Sequence, residues 1–185
     1  ELAKYDCAFA TVSITTLDSA LAGRLEPRAA RPALRLRALR ELAAAGVPVG
    51  VMTAPIIPGL TDHEMPAILA AAAEAGARRA GYTVMRLPYA VKDVFLQWLD
   101  NHAPTKKERI LSRVREIRGG SLNVSDWGRR MKGEGIFAEQ IGRLFEVAAR
   151  RAGLNRERQV LSTAHFRGPG EQFELFPAAC SGGGA

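Results

Sequence analysis

Cysteines and long apolar runs are scarce in this sequence. Its two cysteines, Cys7 and Cys180, lie far apart and belong to no CxxC or CxxxCxxC group, so they indicate neither a disulfide framework nor a cysteine metal site. No apolar run approaches the roughly 18 to 20 residues of a membrane-spanning helix, and no basic leader precedes an apolar region. We therefore expect a soluble chain that stays in the cytoplasm.

The usual catalytic signatures are missing too. His63, His102 and His165 stand alone in the sequence, which disfavours a histidine metal site. No Ser-His-Asp or Cys-His arrangement is visible, and GxGxxG is absent. An ordinary (β/α) enzyme that holds a small anionic substrate through Arg86 consequently has little support, because no acid-base pair accompanies that arginine.

What the sequence does contain is enough apolar residues for a core. Hydrophobic residues make up 47% of the 185 residues, which suffices for one domain plus an appendage. The first residue is Glu1 rather than Met, and a β-rich segment begins almost at once. We expect from this that the sequence is a piece of a longer protein.

Positive charge is concentrated in one late segment. Residues 106–158 carry 14 Lys+Arg against 7 Asp+Glu, whereas residues 1–105 carry 11 against 10 and residues 159–185 carry 1 against 2. A surface that faces a polyanion needs such a concentration. A solvated helix face rich in arginine explains it equally well.

Strand-like and helix-like segments alternate along the first half. The β-rich segments are 8–16, 47–57 and 80–88, and the helical segments between them are 33–46 and 62–77. Short connections in this order imply parallel strands with right-handed crossovers, hence an α/β sheet or part of a (β/α) barrel. The strands are almost continuously apolar, as expected when both faces are covered.

After Pro88 the pattern becomes helical only. Helices are predicted at 92–102, 104–118 and 136–152, with a glycine-rich basic loop at 118–135. The polar stretch from residue 154 onward is typical of a flexible tail. We divide the chain accordingly into an α/β part (1–90), a basic helical extension (91–153) and a tail (154–185).

The loop after the second predicted strand is unusually constrained. In APIIPGLTD (54–62), two prolines fix φ, while Gly59 allows either close approach of a ligand or a positive φ. Thr61 and Glu64 have capping-box spacing, which predicts a helix start at Asp62 with free amides facing the strand ends. Since ligands bind at the carboxyl ends of parallel strands, this segment is a candidate binding loop, or simply a well-made turn.

Polar residues also gather where the first predicted strand ends. Ser13, Thr15 and Thr16 interrupt an apolar segment, and their hydroxyls need partners there, either a ligand or a neighbouring carbonyl. Glu26 and Arg35 flank the following turn. The simplest expectation is that these two residues pair with each other.

Four segments combine into a larger pattern: VSITTLD at 12–18, LEPRAARP at 25–32, APIIPGLTD at 54–62 and GYTVMRLP at 81–88. Together they resemble the C-terminal half of a radical S-adenosylmethionine enzyme of the spore photoproduct lyase-like, or DNA repair photolyase, group. The resemblance covers about residues 5–165. It implies a partial (β/α)6 barrel, of which this chain supplies about three parallel strands, followed by an α-helical extension and a flexible tail.

The resemblance also implies a chemistry and two cofactors. In this family a CxxxCxxC loop in the N-terminal half holds a 4Fe-4S cluster, and the cluster binds S-adenosylmethionine. Reduction cleaves S-adenosylmethionine to a 5′-deoxyadenosyl radical that abstracts hydrogen from the substrate. No CxxxCxxC is present in this sequence, so the resemblance implies that this piece is inactive alone and that the parent protein is the enzyme.

Residues after the first predicted strand match the polar side of the family's cofactor site. Ser13 and Thr15 match the fourth-strand position that contacts the ribose or methionine moiety of S-adenosylmethionine. Glu26 and Arg35 match polar positions that follow that strand, with a less defined role.

Residues after the second and third predicted strands match its adenine side. The family's fifth-strand pattern GxIxGxxE corresponds to Pro55, Ile57, Gly59 and Asp62, so the first glycine and the glutamate are replaced. Ile57 would pack on the adenine, and Gly59 would permit close approach. Leu87 falls at the end of the sixth strand, where backbone groups read the adenine edge.

A short motif near the C-terminus suggests a partner. The peptide EQFELF resembles the Q-L-x-L-F peptide that bacterial DNA-repair proteins and polymerases insert into the sliding clamp. Its matching residues are Gln172, Phe173, Leu175 and Phe176. A strand or hydrophobic plug on the parent's own barrel is the equally supported alternative. Together with the basic segment, the motif favours DNA or another nucleic acid as the substrate.

Two classes of function follow from the sequence. The favoured class is a fragment of a radical S-adenosylmethionine enzyme that acts on nucleic acid, in repair or modification. The rival is a non-enzymatic, basic α/β module that binds nucleic acid and tethers it to a partner. A CxxxCxxC motif upstream of Glu1 would decide for the enzyme.

Overall fold

The chain folds as an open α/β sheet of three parallel strands covered by helices. The computed structural model describes residues 1–123, 129–158 and 160–166. The strands are β1 (Ala10–Ser13), β2 (Val49–Ile56) and β3 (Arg79–Val84). They lie side by side in sequence order, with Val12 opposite Val51 and Val51 opposite Ala80. The prediction of a parallel α/β fold with three strands is therefore confirmed.

Seven α-helices connect and flank these strands in the described part of the chain. They are α1 (Ser19–Leu25), α2 (Pro32–Ala44), α3 (Met65–Glu74), α4 (Val91–His102), α5 (Lys107–Glu116), α6 (Arg129–Lys132) and α7 (Gly135–Arg151). Short 3-10 turns cover Leu2–Tyr5, Asp62–Glu64 and Pro104–Lys106. Within the described residues, none of the helices is both long and apolar enough to cross a bilayer.

All five helices predicted from the sequence are present, and two shorter ones were missed. Helix α1 has only seven residues and begins at an Asp18 cap, whose carboxylate accepts hydrogen bonds from the amides of Ala20 and Leu21. Helix α6 has four residues and lies inside the segment predicted to be a glycine-rich loop. Both helices are too short to develop a clear apolar period, which is why the pattern did not reveal them.

One face of the sheet carries the main apolar core. Val49 and Val51 of β2 pack there against Leu39 of α2 and Ile68 of α3, and α7 adds Ile141 to the same cluster. Because α2 and α3 cover the same face, the sheet is wound in one direction, as in a barrel wall.

The opposite face is sparsely covered by the described residues. Thr11 and Ser13 of β1 are exposed on it, and a groove of about 280 Å³ crosses it beside Gly50, Met52 and Gly81. Small and hydroxyl side chains give this face far less apolar surface than the helix-covered face.

The two edges of the sheet differ. Asn155, just after α7, pairs with the backbone of Ala80 through both side-chain atoms, at 2.9 and 3.0 Å, and this closes the outer edge of β3. The amides of Ala10 and Ile14, at the start of β1 and just after its end, donate to the Pro48 and Met52 carbonyls on the β2 side, so those of Thr11 and Ser13 point to the other side. On that side the Arg35 guanidinium donates to the Ser13 carbonyl at 2.8 Å.

The first part of the predicted tail belongs to the folded unit. Leu154 is buried in the main core, and Asn155 closes the edge of β3. Further on, the Ser162 amide donates to the Asp6 carbonyl, and the rings of Tyr5 and His165 meet edge to face at 4.8 Å. The start of a flexible tail at residue 154 was therefore placed too early, because a single polar stretch hid these anchoring contacts.

Two glycines that end helices give a matched pair for testing backbone strain. Gly46 follows α2 at φ +76° and Gly76 follows α3 at φ +98°, and each has the Schellman bonding pattern. An added Cβ meets nothing within 4 Å at Gly46, but lies 2.6 Å from the Cβ of Ala43 at Gly76.

We expect Gly46→Ala to lower the free energy of unfolding by about 1 kcal/mol, the cost of the left-handed conformation alone. Gly76→Ala should lower it by about 3 kcal/mol, because a steric clash adds to that cost. Urea denaturation of both variants measures the difference. Equal losses at the two positions would contradict the close packing of α2 against the turn after α3.

Candidate functional site

The polar residues at the end of β1 bond to one another. The Thr15 hydroxyl is within hydrogen-bond distance of a Glu26 carboxylate oxygen, at 3.0 Å, and of the Ala54 carbonyl, at 3.1 Å. Glu26 in turn forms a salt bridge with Arg35. The expected pairing of Glu26 with Arg35 is confirmed, and Thr15 joins it to the end of β2. We call Thr15, Glu26 and Arg35 the β1-end triad.

Arg35 is the centre of this group. Its guanidinium donates to the Ser13 and Ala30 carbonyls, at 2.8 and 2.9 Å, in addition to Glu26. The space enclosed beside the β1-end triad measures about 10 Å³, which holds about one water molecule. In this conformation the triad braces the loops and leaves no volume for a ligand between its members.

Ser13 ends β1, whereas Thr15 and Thr16 lie beyond it. Strand alternation would place Ser13 and Thr15 on one face, but the side chain of Ser13 is exposed and that of Thr15 is buried, because the strand ends at Ser13. The sequence prediction extended this strand to residue 16 and was wrong there, because the chain turns toward α1 after Ser13.

Ile57 and Leu87 lie in a second apolar cluster above the strand ends. Each is 1% exposed, and both pack with Leu99 of α4 and Ile110 of α5. Leu87 does not end β3, because it lies three residues after Val84, the last residue of that strand. Their side chains therefore contact the helical extension, and a ligand at the strand ends would meet other groups first.

Gly59 and Asp62 form a closed turn between β2 and α3. The Gly59 amide donates to the Asp62 carboxylate at 2.9 Å, and the Gly59 carbonyl accepts from Arg109 at 3.1 Å. Gly59 has φ +78°, and an added Cβ would meet its nearest neighbour at 3.8 Å. A positive φ, rather than close approach of another group, is what this position requires in the described conformation.

The predicted capping box at Thr61 and Glu64 is wrong. The Thr61 hydroxyl accepts from the Ile57 amide at 2.9 Å, and α3 begins at Met65 after a 3-10 turn. The Glu64 carboxylate accepts from the Thr16 hydroxyl at 2.6 Å and the Leu17 amide at 2.8 Å. A nearby amide thus uses the Thr61 hydroxyl, and donors distant in sequence use the Glu64 carboxylate, so Glu64 ties the loop after β1 to the loop after β2.

Two arginines lie close together near the end of β3. Arg118 is 1% exposed, and its guanidinium donates to the Val84 and Met85 carbonyls at 3.1 and 2.8 Å. Burial, and to a lesser degree the positive charge of Arg86, lower the pKa of Arg118. The Nε atom of Arg86 is buried and meets no hydrogen-bond acceptor within the described residues. Sequence reasoning singled out Arg86 but missed Arg118, since nothing in the sequence marks it as buried.

A cleft at the strand ends was not predicted. A cleft of about 350 Å³ is bounded by the segments that follow all three strands. Its polar and aromatic lining includes Arg24 of α1, His63 of the loop after β2, Trp98 and His102 of α4, and Lys106. We call it the strand-end cleft. The fold thus brings together two histidines that stand alone in the sequence.

Several basic side chains of residues 106–158 form contacts within the protein itself. Arg118 holds carbonyls at the end of β3, Arg113 lies over the Phe137 ring at 4.3 Å, and Lys107 pairs with Asp100 at 2.6 Å. These contacts explain several of the positive charges of residues 106–158 without a polyanion.

The described residues have groups that could bind part of S-adenosylmethionine, but they have no ligand set for an iron-sulfur cluster. The described residues contain no cluster of three or more His, Cys, Asp or Glu side chains that could hold a metal, so they offer no ligand set for a 4Fe-4S cluster. The hydroxyl, carboxylate and guanidinium groups of the β1-end triad have the chemistry to bind the ribose and amino acid groups of S-adenosylmethionine. On the adenine side, buried Ile57 and Leu87 present no free side-chain surface.

Comparisons with protein-family models, curated proteins and solved structures return no match. The fold class thus follows from the described sheet and its helices alone. The clamp-binding motif at Gln172, Phe173, Leu175 and Phe176 lies outside the described residues.

Proposed function

We propose that this chain is the C-terminal half of a radical S-adenosylmethionine barrel of the spore photoproduct lyase-like group, and that its parent acts on nucleic acid. The supporting observation is the asymmetry of the sheet. Asn155 closes the outer edge of β3, whereas no strand of the described residues pairs with the outer edge of β1, and the described residues cover the face opposite the helices only sparsely. A sheet of sequential parallel strands with one open edge suits the second half of a barrel, because preceding strands can continue it there.

The β1-end triad would serve the polar end of the bound cofactor after its mutual hydrogen bonds open, because the closed triad leaves no volume for a ligand. When bound, S-adenosylmethionine supplies the radical that attacks the substrate. This chain's own contribution is to present the Thr15 hydroxyl, the Glu26 carboxylate and the Arg35 guanidinium at a carboxyl end of the sheet, where ligands of parallel α/β folds bind. The 4Fe-4S ligands would come from the half that precedes β1.

Nucleic acid is the proposed substrate class, and the sliding clamp the proposed partner. The basic excess of residues 106–158 supports the first, and the clamp-like peptide 171–176 supports the second.

Amide exchange at β1 tests whether further strands continue the sheet. In this chain, the Thr11 and Ser13 amides point away from β2 and should exchange quickly. In a longer chain that includes the preceding half, we expect both amides to exchange roughly a hundredfold more slowly, since a new strand would bond them. Residue-resolved hydrogen exchange by NMR measures this.

The Ala80 amide is the internal control for that experiment. It already bonds to Asn155 on the far edge of the sheet, so its exchange rate should be the same in both chains. If Thr11 and Ser13 exchanged as fast in the longer chain as in this one, the proposed half-barrel would be refuted.

A further inference from the structure

We infer that the strand-end cleft binds one nucleotide unit of a single nucleic-acid strand, with the base against Trp98 and the phosphate held by Arg24 and Lys106. This inference rests on the proposed function, because it assigns the nucleic-acid substrate to a place on this chain. The cleft lies at the carboxyl ends of the strands and is bounded by the segments after β1, β2 and β3.

The ring of Trp98 is fixed in position by contacts with neighbouring residues. Its indole Nε1 donates to the Arg24 carbonyl at 2.9 Å, and its ring is stacked with Phe95 at 6.0 Å between centroids. His102 lies on the same helix with its ring 5.2 Å from that of Trp98. An aromatic ring fixed by such contacts loses little entropy on binding, and base stacking needs no particular base identity.

The cations of the cleft are available to a phosphate. Arg24 and Lys106 have exposed side chains, and neither forms a salt bridge within the described part of the chain. The exposed imidazoles of His63 and His102 add hydrogen-bond donors to the same opening. Two cations beside an aromatic ring form the combination that single-strand binding sites use.

The two carboxylates in the wall are occupied by donors of the protein itself. Asp18 caps α1, and the amides of Leu21 and Ala20, followed by the nearby positive charge of Arg24, lower the pKa of its carboxyl. Glu64 accepts from the Thr16 hydroxyl and the Leu17 amide. These donors come from α1 and from the loop after β1, and they offset part of the negative charge of each carboxylate, which weakens its repulsion of an incoming phosphate.

The size of the cleft limits what can enter. About 350 Å³ lies at the lower end of the range of small-molecule sites, roughly 300 to 1,000 Å³, and suits a single nucleotide unit. Two paired nucleotides have about twice the volume of one, so a strand that places one nucleotide in the cleft must be single or locally opened, as for enzymes that act on extruded bases.

Tryptophan fluorescence tests this inference directly. The sequence contains two tryptophans, so Trp127→Phe leaves Trp98 as the sole tryptophan of the full chain, and excitation at the red edge of the absorption band selects it over the tyrosines. We expect single-stranded dT8 to quench this emission while fluorescence anisotropy reports binding of a labelled copy. Arg24→Ala and Lys106→Ala should each weaken binding about five- to tenfold, whereas Arg40→Ala, which removes an equal charge from α2, should not.

The possible results separate the inference from the proposed function. Binding of dT8 without any change in Trp98 emission would overturn the cleft assignment and leave a nucleic-acid substrate standing. If dT8 did not bind at low salt, both the cleft assignment and the nucleic-acid proposal would fail. Equal quenching by inorganic phosphate or dTMP, with no preference for dT8, would overturn the strand as the ligand.

Discussion

Replacing Arg118 by methionine should lower the free energy of unfolding by about 4 kcal/mol, a large part of the stability of a domain this size. The guanidinium is 1% exposed and bonds to the Val84 and Met85 carbonyls. Methionine fills much of the same volume but donates nothing, so two carbonyls lose a charged donor where little water can replace it. Urea denaturation followed by circular dichroism measures the loss.

Arg115 provides the control for this substitution. It lies one turn earlier in the chain, at an exposed position of α5. Arg115→Met removes the same charge and should change stability by less than about 0.5 kcal/mol. Arg118→Lys should recover only part of the loss, because one ammonium group lacks the planar fork of a guanidinium. If the Arg118 and Arg115 variants were equally stable, the packing of the helical extension onto β3 would be refuted.

Replacing Arg35 by alanine should lower the free energy of unfolding by about 2 to 3 kcal/mol, an effect comparable to that of Gly76→Ala. The substitution removes the salt bridge with Glu26 and two hydrogen bonds to the Ser13 and Ala30 carbonyls. The Arg35 and Glu26 side chains are 17% and 33% exposed, so solvent screens this pair only in part.

A double-mutant cycle isolates the pair itself. With Arg35→Ala, Glu26→Gln and the double variant, we expect a coupling energy of about 1 to 2 kcal/mol. The pair of Arg37 and Glu41, whose side chains are 65% and 69% exposed, is the matched control and should couple by less than about 0.5 kcal/mol. A coupling at Glu26 no larger than that of the control would mean that the triad does not brace the end of β1.

Periodicity predicted the elements that build the sheet. The strands and long helices have many consecutive apolar residues, so their types and order could be read with small errors at the ends. Helix α1 escaped because seven residues are too few for a period, although Asp18 was a usable cap signal. The helical extension was expected to follow the α/β part, but its packing over Ile57 and Leu87 required three-dimensional contacts.

In the candidate site, too, contacts between residues close in sequence were predictable and long-range contacts were not. Glu26 and Arg35 are close in sequence and of opposite charge, so their pairing was predictable. Glu64 had capping-box spacing, yet a loop distant in sequence offered it better donors. The strand-end cleft unites residues from three separate connections. No local sequence pattern indicates that these residues lie together in the fold. Trp98 and Lys106 were therefore not predicted as site residues.

Reconstitution with iron and sulfide tests the central claim most directly. This chain and a longer chain, which adds the residues encoded upstream of Glu1, should be treated in parallel under anaerobic conditions. Iron content and visible absorption are then measured for both. Our account predicts cubane cluster absorption in the longer chain and none in this one, because the described residues hold no cluster ligand set. A stoichiometric cluster on this chain alone, or a longer chain without one, would contradict the account.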